Sequence, residues 1–225
     1  MFYNCKSLVS MDLSNFNNPH LQYLGSMFYN CEKLNNVNVN TLNTHNVTHM
    51  DLMFYGCSSL AKINLSNFYA SSVININNMF CNCGSLTSMD LSNFITPNLK
   101  YMGSLFMDCE NLKYANLTGL NTHKTKYIDR MFSGCSSLIE VNLSNFDTSS
   151  VKGMEYLFSG CRSLKSIDIS NFVTSSVTNM RGKIEKCINL TSLDLSNFDT
   201  SLVASMNFMF SGCNELRELN ISSIA

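Results

Sequence analysis

Tryptophan is absent from this 225-residue chain, proline occurs only twice, and charged residues make up just 14% of it. With so little proline, and no shift in composition along the chain, nothing marks a linker between domains. Charge of either sign is scarce and balanced, with 15 Lys+Arg against 16 Asp+Glu and a net charge of −1. That balance excludes a broad basic surface and makes nucleic acid a poor partner. No apolar run approaches the roughly 18 residues of a membrane-spanning helix, so no membrane insertion is expected in this segment. Met1 opens no signal-peptide pattern of charge, apolar stretch and small residues. A glycine-rich phosphate loop is missing too, as are Cys and His pairs at zinc-finger spacing. What the chain does have is ten cysteines.

Nine of them, Cys5, Cys31, Cys57, Cys83, Cys109, Cys135, Cys161, Cys187 and Cys213, stand 26 residues apart without an insertion or deletion. A leucine follows each by three residues, from Leu8 to Leu216, and an aromatic precedes each by three, from Phe2 to Phe210, with Ile184 the exception. A fixed period of this length is the signature of a solenoid and sets the frame for all local structure. Residues 1–225 are therefore expected to form one array of about 8.7 repeats.

Within the repeat the period changes. Met11-Asp12-Leu13-Ser14 alternates apolar and polar, as do Ile63-Asn64-Leu65-Ser66 and Val141-Asn142-Leu143-Ser144, the pattern of a half-buried strand. Further on, Val151, Met154, Phe158 and Cys161 fall at offsets of 0, 3, 7 and 10, which predicts about three turns of helix. Thr148, Thr174 and Thr200 stand where an N-cap oxygen is needed, and Pro19 and Pro97 occupy the next position. Before the cysteine sits Gly56, Gly134, Gly160 or Gly212, or else Asn4, Asn30, Asn82 or Asp108, residues suited to the left-handed conformation that ends a helix.

The spacing Leu8-x-x-Met11-x-Leu13 resembles a leucine-rich repeat. Phe16, Phe68, Phe94, Phe146, Phe172 and Phe198, together with the return Met131-Phe-Ser-Gly-Cys-Ser-Ser-Leu138, make it similar to the 26-residue Treponema-type repeat of BspA-like surface proteins. The resemblance covers the whole chain. It implies an α/β fold: a right-handed leucine-rich-repeat solenoid with a parallel sheet on one face and short helices on the other. It also implies a non-enzymatic, adhesin-like module at the cell surface or secreted, binding host matrix or cell-surface partners. An intracellular protein-interaction scaffold in the cytoplasm is the alternative, which the free thiols and the missing signal favour.

Chemistry-bearing constellations are few. The column of cysteines reads as buried free thiols, and Cys81, two residues before Cys83, as a stray thiol facing outward. His45 and His49 have helical spacing but read as a solvated pair. No cofactor or metal is expected. In the last complete repeat but one, Lys183, Ile184 and Lys186 depart from the pattern, either as drift or as a basic patch with Arg181. On the strand, the column Asp12, Asn38, Asn64, Asp90, Asn116, Asn142, Asp168, Asp194 and Asn220 points outward as an amide and carboxylate file, while the column two residues earlier varies. A protein or glycan ligand on that face would be read by Lys62, Asn64, Asp90, Tyr114, Asn116, Glu140, Asn142 and Asp168. Neither end carries a polar capping repeat, so a fragment of a longer array, or end-to-end self-association, is expected.

Overall fold

The computed structural model describes residues 1–16 and 18–222. One face of the coil stack carries seven three-residue strands: β1 Ser10–Asp12, β2 Asn36–Asn38, β3 Ser88–Asp90, β4 Tyr114–Asn116, β5 Glu140–Asn142, β6 Ser192–Asp194 and β7 Glu218–Asn220. All pairings are parallel and shifted by one repeat, as in Met11 opposite Val37 and Ala115 opposite Val141. The sheet is in three pieces, β1–β2, β3–β4–β5 and β6–β7. Lys62–Asn64 and Ser166–Asp168 stand at the two breaks outside any strand. Both carry isoleucine, Ile63 and Ile167, at the inward position, next to valine in the preceding coil. Neither isoleucine is fully buried. The next coils are held by Thr87 N–H to the Ala61 carbonyl (3.2 Å) and Thr191 N–H to the Lys165 carbonyl (3.1 Å).

The second half of the repeat is not a helix, which corrects the expectation of short helices on the opposite face. Backbone donors there alternate between two destinations. Leu24, Ser26, Phe28 and Asn30 donate to His49, Asp51, Met53 and Tyr55 of the next coil, at 2.6–2.9 Å. Met27, Tyr29 and Cys31, in between, close turns onto Leu24, Ser26 and Phe28 within their own coil. Two left-handed residues per coil impose this path: Ser26 (φ 56°) and Asn30 (φ 53°), repeated at Asn78 and Asn82 and at Ser104 and Asp108. A right-handed helix accommodates neither. The Gly/Asn column before the cysteine does turn left-handed as expected, but it ends a β-turn rather than a helix. Consecutive turns return side chains to one face every three or four residues, as a helix does, so Val151, Met154, Phe158 and Cys161 are all fully buried nonetheless.

The threonines are not N-caps either. Thr148 Oγ accepts from Val173 N–H (2.7 Å) and donates to the Val173 carbonyl (2.9 Å), and Thr122 and Thr174 treat Asp147 and Asp199 alike. One buried hydroxyl thus satisfies both backbone groups of a residue in the next coil.

Seven rings, Phe2, Phe28, Phe54, Phe80, Phe106, Phe132 and Phe158, stack down the interior with centroids 5.4–5.7 Å apart. Beside them each cysteine thiol from Cys31 to Cys187 donates to the carbonyl of the phenylalanine 29 residues earlier, as Cys109 does to Phe80 at 3.0 Å. Those seven thiols are free and buried, and Cys5 is exposed. Burial pushes the thiols of Cys57 and Cys187 up to about 12. Cys81 is also buried rather than outward. It closes a column in which the rings of Tyr3, Tyr29 and Tyr55 stack 4.6–4.7 Å apart.

Lys183 does not join Arg181 at the surface. It fills the core column of Met27 and Met131, fully buried and without a hydrogen-bond partner. Its Nζ lies 4.0 Å from the Phe198 ring centroid and 5.2 Å from that of Phe172. Desolvation drives its pKa well below the usual lysine value.

Lys183→Met should therefore raise stability by on the order of 1–3 kcal/mol at neutral pH. The unfolded chain binds a proton at Lys183 that the folded chain resists. The advantage of the variant should thus be largest at low pH and shrink as pH rises toward 10.5, as urea midpoints at several pH values would show. The thiols have the opposite sign. Their contribution is complete below 9.0 and is lost between 9.0 and about 12, because the unfolded chain ionises first. In a native sample Ellman's reagent should label Cys5 at once and Cys31–Cys187 only at the rate of unfolding.

Candidate functional site

The strand face is where two columns of side chains leave the coil. Its two outward columns behave differently. In the second, from Asp12 to Asn220, every Oδ1 accepts the backbone N–H two residues on, at 2.8–3.3 Å. These Asx turns end each strand locally. The Ser170 hydroxyl and then its N–H hold the Asp168 carboxyl below the usual carboxylate range. Expected as an outward file, the column does face outward, but one oxygen of each member belongs to the fold. Asparagines three residues on from it do similar work. Asn171 Nδ2 donates to the carbonyls of Leu143 and Phe146 in the preceding coil, both at 3.0 Å.

The first outward column is free of such duties. Lys62, Tyr114 and Glu140 are exposed and make no side-chain hydrogen bond or ion pair among the described residues. Tyr114 keeps 50% of its surface in solvent. Taken together the two columns hold Asp12, Asp90, Glu140, Asp168, Asp194 and Glu218 against the single base Lys62. A chain of net charge −1 thus concentrates negative charge on one face.

Among the described residues, cavities open along this face. One of about 510 Å³ lies over the first break, with Asn36, Lys62, Asn64 and Asp90 in its walls. Another of about 360 Å³ over β3–β5 is bounded by Asp90, Tyr114, Asn116, Glu140 and Asn142. A third of about 630 Å³ spans the second break, from Glu140 and Asn142 to Asp168. The last, about 480 Å³, runs from Asp168 to Glu218. The eight residues singled out from sequence therefore sit along one continuous strip, although Lys62, Asn64 and Asp168 stand in breaks and not on strands. Sequence reasoning missed the breaks, the Asx turns and the neighbouring Asn40, whose buried Oδ1 has no partner in the first cavity wall. The i,i+2 spacing of Asx and a small polar residue, Ser in all but Asn40 and Thr118, was the available signal for the turns.

His45 and His49 do not pair. His45 stacks on Tyr69 at 3.7 Å, and His49 leans on Tyr23 at 5.2 Å. Among the described residues no group of three His, Cys, Asp or Glu is placed to hold a metal ion.

A family model described as "Mycoplasma protein of unknown function, DUF285" matches residues 1–118 and 126–224. The chain belongs to the DUF285 family. Among solved structures it is similar to a leucine-rich repeat protein of Treponema pallidum, with 27% identity and a TM-score of 0.52 over 72% of this chain and 68% of that one. It is also similar to a leucine-rich repeat protein of Bacteroides ovatus, with 18% identity and a TM-score of 0.51 over 96% of this chain. There this DUF285 chain spans 61% of the other protein's length. No curated protein matches it. The leucine-rich repeat of Treponema type that the motifs resemble is thereby the repeat this DUF285 chain has.

Because the two outward columns differ in duty, Asn142→Ala should cost about 1 kcal/mol by orphaning the Ser144 N–H. Glu140→Ala, two residues away, should stay within about 0.5 kcal/mol. Thermal melts of the two variants check the division.

Proposed function

We propose that this chain is a non-enzymatic binding module that holds a protein partner against its strand face, in the manner of a surface adhesin. The reading rests on one observation above others: Lys62, Tyr114 and Glu140 differ from their column neighbours and have no side-chain partner among the described residues, while the core columns around them are fixed by packing. A half-exposed tyrosine between a lysine and a glutamate can anchor a partner through its ring and choose it through charge. The acidic strip favours a partner with a basic surface. The leucine-rich repeat itself supports interaction and not catalysis, and the adhesin role follows the family resemblance. The partner is a protein of the host matrix or of another cell. An intracellular scaffold is the second reading, favoured by ten unpaired thiols, since oxidising compartments tend to pair cysteines.

Interferometry with purified matrix glycoproteins tests the first reading. Tyr114→Ala should weaken binding by tenfold or more, about 1.4 kcal/mol, and Lys62→Ala or Glu140→Ala by a few-fold. A triple variant that binds as tightly as the parent would remove the strand face as the site. Proteolysis of intact cells separates the two readings: an adhesin is cut without lysis, and a scaffold only after it.

A further inference from the structure

A second face carries charge of the opposite sign. In each of the eight coils, the seven residues that lead from the buried threonine column into the turns occupy positions 18–24, 44–50, 70–76, 96–102, 122–128, 148–154, 174–180 and 200–206. None of these segments contains an Asp or Glu, although the chain has 16. They hold Lys100, Lys124, Lys126 and Lys152, and all four histidines of the chain, His20, His45, His49 and His123.

The fold stacks these bases. Parallel bridges from Tyr101 to Tyr127 and from Tyr127 to Gly153 put Lys100, Lys126 and Lys152 in register on successive coils. Lys152 N–H donates to the Lys126 carbonyl at 2.8 Å, fixing the step at one coil, about 5 Å. All three side chains are exposed, as are Tyr101 (47%) and Tyr127 (50%) beside them. Lys124 reaches Asn98 Oδ1 at 2.8 Å on the same face.

Like charges opposite one another in a ladder repel, and none of the three lysines is in an ion pair among the described residues. The ion pairs among the described residues are Lys6–Glu32, Lys186–Glu185 and Arg217–Glu215. Two acids just beyond the strip are turned to other hydrogen bonds. Asp129 accepts Glu155 N–H at 2.7 Å, and Glu155 accepts Asn179 Nδ2 at 2.6 Å. Arg130 and Arg181 flank them, spread over the Tyr156 ring at 5.2 and 5.9 Å. Packing does not ask for lysine, since Gln22, Thr48 and Thr178 fill the same column in other coils.

We infer that the Lys100–Lys126–Lys152 file, with Lys124 at its side, is a binding site for a linear sulfated polysaccharide. Lysine ammonium groups are compact point charges that meet tetrahedral anions without a fixed approach. A flat file of them suits a polymer presenting anions along its edge, with Tyr101 and Tyr127 offering ring surface to its sugars. Single-stranded nucleic acid would instead call for a basic groove with aromatic platforms inside it.

Titration calorimetry of the chain with heparin, with desulfated heparin and with a single-stranded oligonucleotide of matched charge tests the site. Heparin should bind, and roughly ten- to twentyfold more weakly on going from 0.1 to 0.3 M NaCl, as expected for three neutralised anions. Replacing Lys100, Lys126 and Lys152 by Gln should weaken it at least thirtyfold. Lys113→Gln with Lys165→Gln, at exposed positions one residue before Tyr114 and Ser166 and outside the lysine file, should change it less than twofold. Without ligand the triple variant should melt no lower than the parent, because it loses a repulsion; Lys126→Glu alone, if folded, should abolish binding. The inference is overturned if heparin does not bind, if desulfated heparin binds as well, if the oligonucleotide binds more tightly, or if the triple variant binds like the parent.

Discussion

The backbone hydrogen bond from one coil to the next is the interaction on which everything else in this molecule rests. Phe28 N–H meets the Met53 carbonyl and Phe54 N–H meets Met79, always 25 residues on. Buried peptide groups must be paired, so a coil one residue longer would misplace every donor in its turn segment. This explains a 26-residue step kept without insertion from Cys5 to Cys213. The side chains then inherit the register. Phenylalanine rings stack because their backbones are already bonded, and thiols and threonine hydroxyls find carbonyls of neighbouring coils because the spacing brings them there. Where a column departs from type the cost is local, as with Lys183 in a methionine position.

The same register divides the surface. Columns repeat around the coil, so a residue preference at one position becomes a face of the whole molecule. Six acids with one lysine line the two outward strand columns. The segments leading into the turns hold only bases. A nearly neutral protein is therefore strongly polar across its width, and the two faces call for partners of different charge. The strand face adds relief where Ile63 and Ile167 interrupt the ladder. Isoleucine ordinarily favours strands, and at both breaks it follows a valine in the preceding coil.

Much of the fold was legible beforehand. Period, inward columns, parallel strand, left-handed Asn/Gly column and buried thiols follow from side-chain type at fixed intervals. The helix did not hold. Leu24, Met27, Phe28 and Cys31 have helical spacing, but consecutive turns share that spacing. The second left-handed position hides behind Leu52, Arg130, Tyr156 and Phe208, side chains that rarely adopt it and that are held there by bonds on both sides. Cys81 was misplaced for the same reason: helix geometry turns that column outward, whereas the turns tuck it under a tyrosine stack. On the strand face, the outward columns were legible and their duties were not, since Asn64 and Asp168 look as free as Lys62 until the Ser66 and Ser170 N–H groups are seen on them.

By itself, then, the sequence determined the coil length, the register and most of the side chains that face the core, because those follow from periodicity along one dimension. Only the tertiary structure decided the backbone path of the turns, the breaks in the sheet, the burial of Lys183 and Cys81, and the joining of lysines from separate coils into one face. Each of these depends on a partner about one coil away, and no local pattern names a hydrogen-bond acceptor 25 residues distant.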